Sequence, residues 1–485
     1  MKLSPRITKI EEIGVFRPAA ELVPRATRSW FYANEIRTIY NMGTGTPNLT
    51  SNINVAVVSF GGGLYGTVNP LTGVLTNGDC QTYWQSIGIA PANMPNVVVI
   101  PISGAANLPN FNDGGATIEN TIDVQQIGAC CPSSNLTIIL YISPNNLAQF
   151  PVLLNYILNV SAYKPSVISI SWGAPEVYYP TSLLNSINTL LSSATLQGIN
   201  VLAASGDNGS NNGVGGTGNY ADCPASCPNV TGCGGTRLVC PNLVYDGSTV
   251  ETAWSSAGGA LSGYFSLPSY QSSLTGVARR SVPDLALNAD PATGVNYIIN
   301  NNNYIIGGTS IVSPAMAGYL ASINAKVFIN PLLYTTPTGF RDVLVGSNGG
   351  FTAKTGYDNC SGLGSIIGNV LTPVITGATP TPPTPPPPTP TPTPPTPTVI
   401  NVSSVSLNHS SFTLSLRRNR TTQLTTTILP ANATNKAIIW SSSNSRTARV
   451  SSTGLVTGLR IGTCQITVRT VNQNKRAVCN IIVTA

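Results

Sequence analysis

Three groups of residues in this chain have types and spacing that could do chemistry. The first is Ser310, in Gly307-Gly308-Thr309-Ser310-Ile311-Val312-Ser313-Pro314-Ala315-Met316-Ala317-Gly318. The Gly-Thr-Ser…Pro pattern predicts a tight turn that presents a serine at the start of a helix, where backbone N–H groups suit an oxyanion. An ordinary helix cap uses the same residue types. The second group is Glu119-Asn-Thr-Ile-Asp123. On a helix, carboxylates at i and i+4 share one face. Two close carboxylates resist joint ionisation, so one pKa rises and the pair can share a proton and act as a base. A solvated helix face is the competing reading, although Ile118–Cys131 is otherwise apolar or neutral. The third is Asp207 in Ala203-Ala-Ser-Gly-Asp-Asn-Gly209, after a predicted strand at a Gly-rich turn. α/β sheets place functional groups there, and so do plain turns.

The only histidine, His409, lies beyond a Pro/Thr stretch. A serine nucleophile in a Ser-His-Asp triad gives its proton to an imidazole. With no imidazole in the same part of the chain, a carboxylate must be the base if Ser310 is a nucleophile.

These residues have to be positioned by elements. Val55–Ser59, Val97–Ile100, Leu136–Ile142, Val167–Ser171 and Val201–Ser205 are short apolar, mostly β-branched runs. Such runs suit strands buried on both faces of a parallel sheet. Between them, 146–162 and Thr181–Leu196 read as helices, the second opening on a capping Thr-Ser pair. Strand-helix alternation predicts a doubly wound α/β domain. Residues 378–398 are almost wholly Pro and Thr and predict an extended linker of roughly 60 Å, at about 3 Å per residue. Residues 399–485 alternate in short runs with recurring turn residues, as in an all-β sandwich. The division expected is therefore 1–30 as an extension, 31–377 as the α/β domain, 378–398 as the linker and 399–485 as the β module.

Charged residues make up 8% of the chain. Ten of the 24 Lys/Arg fall in Ile400–Ala485, which holds no Asp or Glu, so the rest carries fourteen basic against seventeen acidic residues. A basic module on a tether suits an anionic glycan or cell surface, or solubility alone. No recognition motif for nucleic acid accompanies the charge. No apolar run is long enough for a membrane span, and residues 1–30 lack the apolar core of a secretory signal. Cys223-x3-Cys227 with Cys233-x6-Cys240 lacks the His or tight second pair that zinc favours. The ten cysteines are expected in disulfides in an oxidising compartment, and Cys464 and Cys479 fall on adjacent predicted strands.

In order along the chain, Phe31-Tyr-Ala-Asn-Glu-Ile-Arg-Thr-Ile-Tyr-Asn41, the Glu119/Asp123 segment, Ser169-Ile-Ser-Trp-Gly173, the Asp207 turn, Cys233-Gly-Gly-Thr-Arg-Leu238, Val282-Pro-Asp284 and the Ser310 segment resemble the sedolisin family of serine-carboxyl peptidases, its kumamolisin-like members especially. The resemblance implies a subtilisin-like fold and hydrolysis of protein or peptide substrates at acid pH, by endopeptidase cleavage or removal of tripeptides. Ser310 would be the nucleophile, Glu119 its base, Asp123 the group that orients Glu119, and a protonated Asp207 an oxyanion donor. Trp172 would flank the carboxylates. One structural calcium is implied as well, held by the Asp342 and Asp358 carboxylates and the carbonyls of Val343, Lys354 and Gly356. A catalytically inactive attachment protein is the alternative, which loss of any of the four catalytic residues would favour.

Three departures are visible. Family zymogens carry a large N-terminal prodomain, for which residues 1–30 leave no room. Ser59 stands where some relatives have a glutamate. The tail is an added part. Through Leu424-Thr-Thr-Thr-Ile-Leu-Pro430, Trp440-Ser-Ser-Ser443, Gly454-Leu-Val-Thr-Gly458 and Gly462-Thr-Cys-Gln-Ile-Thr467 it resembles the bacterial Ig-like domain of group 2. That resemblance implies adhesion or spacing at a surface. Location is expected to be extracellular or surface-associated, with a virus particle as the alternative.

Overall fold

The structure, a computed structural model, describes residues 28–274, 276–378 and 400–485, with backbone strands at Ser4–Pro5 and Lys9–Val15. The predicted linker lies, but for Ala378, outside the described residues. The chain divides into two units, Met1–Thr381 and Pro382–Ala485.

In the first unit the elements that bear on the site are α1 (Ala33–Ile39), β1 (Ile53–Phe60), β2 (Asn96–Pro101), α2 (Ala116–Cys130), β3 (Leu136–Ser143), β4 (Val167–Ile170), α3 (Thr181–Leu196), β5 (Asn200–Ala204), β6 (Thr231–Val239), β7 (Val250–Ala253), β8 (Leu285–Asn288) and α4 (Val312–Ser322). One eight-stranded sheet runs β7-β6-β5-β4-β1-β3-β2, with β8 also beside β6. Every pairing is parallel except β6 with β7. Four of the β-branched runs read from the sequence are its central strands β1, β3, β4 and β5, and the fifth, Val97–Ile100, is its edge strand β2. Successive strand residues point to opposite faces, so each strand feeds two cores. Val55 and Val57 of β1 join Ile138 and Leu140 of β3 on one face, with α2 and α4. Ala56 and Val58 join Ile139 and Tyr141 on the other, with α3. Burying each such aliphatic side chain contributes about 1.5–3 kcal/mol.

α3 has the expected bounds, but its cap differs. Pro180 is the N-cap with no side-chain bond, and Thr181 and Ser182 lie inside the first turn. The other helix is shorter than expected, Gln149–Asn155 running on as a wider turn to Val160. Asn146 stays outside it and accepts the Gln149 N–H through its side chain at 3.2 Å.

α2 and α4 touch at Gly318, where a Cβ would lie 2.6 Å from both the Ile127 carbonyl oxygen and the Cys130 Cβ. Any larger residue would push the helices apart by overpacking. This close approach sets the distance between the serine and the acids.

In the second unit, Ser411–Ser415, Arg476–Thr484, Gly462–Thr470 and Ile438–Ser442 form a four-stranded sheet. Shorter sheets complete the β module, whose core holds Leu414, Leu424, Val456, Ile466, Ile481 and Val483. All ten cysteines are free and buried, which corrects the expected disulfides. For Cys464 and Cys479 the reason is register: Cys464 faces Ile481 and Cys479 faces Ile466. The two thiols are thus diagonal neighbours, and Cα atoms about 7–8 Å apart are too far for a bond.

Candidate active site

α2 opens at Gly115, whose φ of 99° suits glycine, and all fifteen of its residues are buried. The acids it carries therefore form no solvated face. Ser310 sits in the tight turn Thr309–Ile311 that runs into α4. Gly308, at φ 140°, makes the bend from the preceding strand and donates its N–H to the Ala289 carbonyl at 2.7 Å. The sequence expectation of a serine presented at a helix start describes this turn.

The Ser310 hydroxyl donates to Glu119 Oε2 at 3.0 Å. Both side chains are fully buried. Asp123, one turn further along α2, accepts a bond from the Ser171 hydroxyl at 2.6 Å. That hydroxyl also lies 3.3 Å from the Ser310 carbonyl oxygen. Burial pushes the Asp123 carboxyl well above the usual carboxylate range, against the lowering effect of the Ser171 bond.

Asp207 follows β5 on the Gly-rich turn. Its Oδ1 accepts the Thr309 N–H at 2.8 Å and the Thr309 hydroxyl at 2.7 Å. Asp207 is thereby fixed to the residue preceding Ser310. With two donors on Oδ1, a proton on this carboxyl belongs on Oδ2. The four residues picked out in the sequence therefore lie on adjoining turns of one buried site.

Ser171 and Thr309 were given no role from sequence. Both lie inside quoted motifs, but a hydroxyl that ties two segments together has no spacing signature. Trp172, expected beside the carboxylates, packs edge-on against Phe60 with ring centroids 5.8 Å apart. Ser59, where some relatives have a glutamate, donates to the Gly61 carbonyl at 3.1 Å, and Asn120 bonds the same oxygen at 3.0 Å. His409 is in the other unit, its ring against Phe412.

The expected metal ligands lie in two segments, 342–343 and 354–358, joined by a hydrogen bond. Gly356 donates its N–H to Asp342 Oδ2 at 2.8 Å, and Lys354 donates its N–H to Asp358 Oδ2 at 3.0 Å. Asp358 Oδ1 takes the N–H groups of Cys360 and Ser361. Val343 and Asp358 are buried. Two carboxylates and three carbonyls would make an all-oxygen donor set, of the chemistry calcium takes.

A parallel sheet with a serine at a helix start and a buried glutamate bonded to it defines a subtilisin-like fold with a serine-carboxyl site. Residues 105–364 match the model of the subtilase family, and residues 401–481 match the bacterial Ig-like domain of group 2. The chain belongs to the subtilase family, as a sedolisin-like member with a C-terminal Ig-like domain. It is 34% identical to kumamolisin of Bacillus sp. strain MN-32 over 356 residues, 67% of this chain and 61% of that protein. It is 28% identical to tripeptidyl-peptidase sed4 of Aspergillus fumigatus over 375 residues, 66% of this chain and 59% of that protein. A solved structure of Pseudomonas sedolisin, described as a serine-carboxyl proteinase with two molecules of pseudo-iodotyrostatin, matches with a TM-score of 0.61 at 26% identity, covering 72% of this chain and 98% of that one. The chain thus spans about three fifths of the length of these curated relatives.

The raised Asp123 carboxyl has a consequence for stability. Its folded pKa lies above the unfolded value near 3.8, so its contribution is complete below that pH and is lost as pH rises through the folded value. Asp123→Asn keeps an acceptor for Ser171 and removes the titration. Its melting temperature should fall less than that of the wild type as pH is raised from acid to neutral. Parallel curves would contradict the assignment.

Proposed function

We propose that this chain is an acid-active serine-type endopeptidase that works without histidine. The observation that carries the reading is the buried Ser310–Glu119 hydrogen bond at 3.0 Å. Glu119 takes the hydroxyl proton as Ser310 Oγ bonds to the substrate carbonyl carbon. The charge that develops on the carbonyl oxygen meets the Ser310 backbone N–H and the Asp207 Oδ2 proton. Glu119 then returns the proton to the leaving amine as the C–N bond breaks. Water repeats the sequence on the acyl-enzyme. Asp123 stands one turn away in a position to share the proton and hold Glu119, with Ser171 fixing Asp123. A carboxylate cannot donate, so Asp207 works only when protonated. Activity should therefore fall as pH rises.

Asp342, Val343, Lys354, Gly356 and Asp358 would hold one calcium. Bound there, the ion would tie the 342–343 and 354–358 segments together, a structural part with no step in the chemistry. The Ig-like module would hold the peptidase at an anionic surface. It has no acidic residue, and Arg469 and Arg476 face each other directly across its central strand pair. Like charges so placed favour an anionic partner.

Hydrolysis of a quenched peptide library from acid to neutral pH tests the peptidase reading. Cleavage should be confined to acid, and Ser310→Ala should lower it by roughly 10⁴-fold or more. Asp207→Asn supplies an amide donor at any pH, so its remaining activity should extend to higher pH than the wild type's. Cleavage by Ser310→Ala, or an unmoved alkaline limb in Asp207→Asn, would sink the mechanism. Ser310→Ala also serves for the module: it should stay on an anionic-glycan column and leave with salt, and flow-through at low salt would count against the tether.

Calcium is tested by heating the full chain with calcium and with a calcium-selective chelator. Chelation should lower the melting temperature by several degrees, and Asp358→Asn should blunt the difference. Equal melting in both conditions would remove the ion from the account.

A further inference from the structure

A second polar site lies at the other end of α2, away from Glu119. Arg37, in the last turn of α1, is only 6% exposed. It borders a cavity of about 280 Å³ whose walls include Asn34, Thr38, Thr44 and Ala129. Its Nη1 donates to the Gly45 carbonyl at 2.7 Å. Its Nε is buried and has no hydrogen bond, and its Nη2 lies beside Gly43 with none to the described residues. These two nitrogens form one edge of the guanidinium, the edge that grips a carboxylate or phosphate with two parallel bonds.

The guanidinium has no counter-ion among the described residues. The ion pairs there are Arg28–Glu35, Arg237–Asp290 and Arg280–Asp284. The groups that act on its charge are the thiols of Cys130 and Cys131, and burial pushes both up to about 12, so both are neutral. The C-terminal end of α2 offers only partial negative charge. Arg280, also buried, is instead clasped by Asp284 and three backbone carbonyls. A buried charge left without a partner is strongly unfavourable. Asn34, another wall residue, carries an unmet acceptor: it gives its Nδ2 to the Ile87 carbonyl at 3.2 Å, while its buried Oδ1 has no hydrogen bond among the described residues.

We propose that this cavity binds a small oxyanion that carries its own hydrogen-bond donor, the oxyanion on the free edge of Arg37 and the donor on Asn34 Oδ1. Two sources share that chemistry: dihydrogen phosphate, and the carboxylate of a peptide end with its last N–H. The site is separate from Ser310 and does not depend on the peptidase reading.

Thermal shift and calorimetric titration of the full chain at mildly acid pH test it. The probes are inorganic phosphate, acetylglycine and, as a control without the carboxylate, acetylglycinamide. Either of the first two should raise the melting temperature in a saturable way at millimolar concentration or below, and which one does so identifies the source. Acetylglycinamide should not. Arg37→Lys keeps the charge and loses the fork, and affinity should drop by about tenfold or more. Asn34→Asp provides a built-in counter-ion: it should melt higher than the wild type without added anion and should no longer respond to it. That variant keeps the test open should Arg37→Lys fail to fold. Absence of a saturable response to either anion, an equal response to acetylglycinamide, or wild-type binding by Asn34→Asp would overturn the proposal.

Discussion

The hydrogen bond from Ser310 to Glu119 is the contact on which the rest of this unit depends. A serine hydroxyl is a poor nucleophile until something takes its proton, and His409 is in the other unit. A carboxylate in water is a weak base. Inside the protein its charged form is disfavoured by burial, and a proton taken up there is held more strongly. In the proposed mechanism, full burial of Glu119, Asp123 and Ser310 is thus part of how a carboxylate would stand in for an imidazole.

That burial has to be built from the sheet outward. The central strands are apolar on both faces, so helices must cover both sides. α2 pays for its two buried acids with apolar neighbours on the rest of its surface, Ile118, Ile122, Val124 and Ile127 among them. α4 can approach α2 closely because Gly318 faces Ile127 and Cys130. The Gly308 bend then turns Ser310 toward Glu119, and the Thr309–Asp207 bonds fix the same turn from the β5 side. Ser171 completes the frame by touching both Asp123 and the Ser310 carbonyl.

Much of this was legible in the sequence, for physical reasons. β-branched runs suit buried strands, and all five became strands of the sheet, four of them central and Val97–Ile100 at its edge. Carboxylates four apart in an apolar stretch had to share a helix face, and α2 carries them so. A family resemblance then gave Asp207 a place that a lone Gly-Asp turn could not. Other features escaped because they depend on three-dimensional partners. The hydroxyls of Ser171 and Thr309 act through contacts with residues far along the chain. Arg37 reads as an ordinary helix residue until its burial, and its lack of a counter-ion among the described residues, are seen. The cysteine count suggested disulfides, but pairing needs Cα distances that a count does not contain, and Cys464 and Cys479 are out of register by two residues.

The most direct measurement is acylation of the enzyme by an activated acyl ester at acid pH, followed by peptide mapping in a mass spectrometer. The account predicts an acyl group on Ser310, formed in Glu119→Gln more slowly by roughly 10²–10⁴-fold, because the hydroxyl then has no base. Acylation of Ser310 at the wild-type rate in Glu119→Gln, or an acyl group on any other residue, would contradict it.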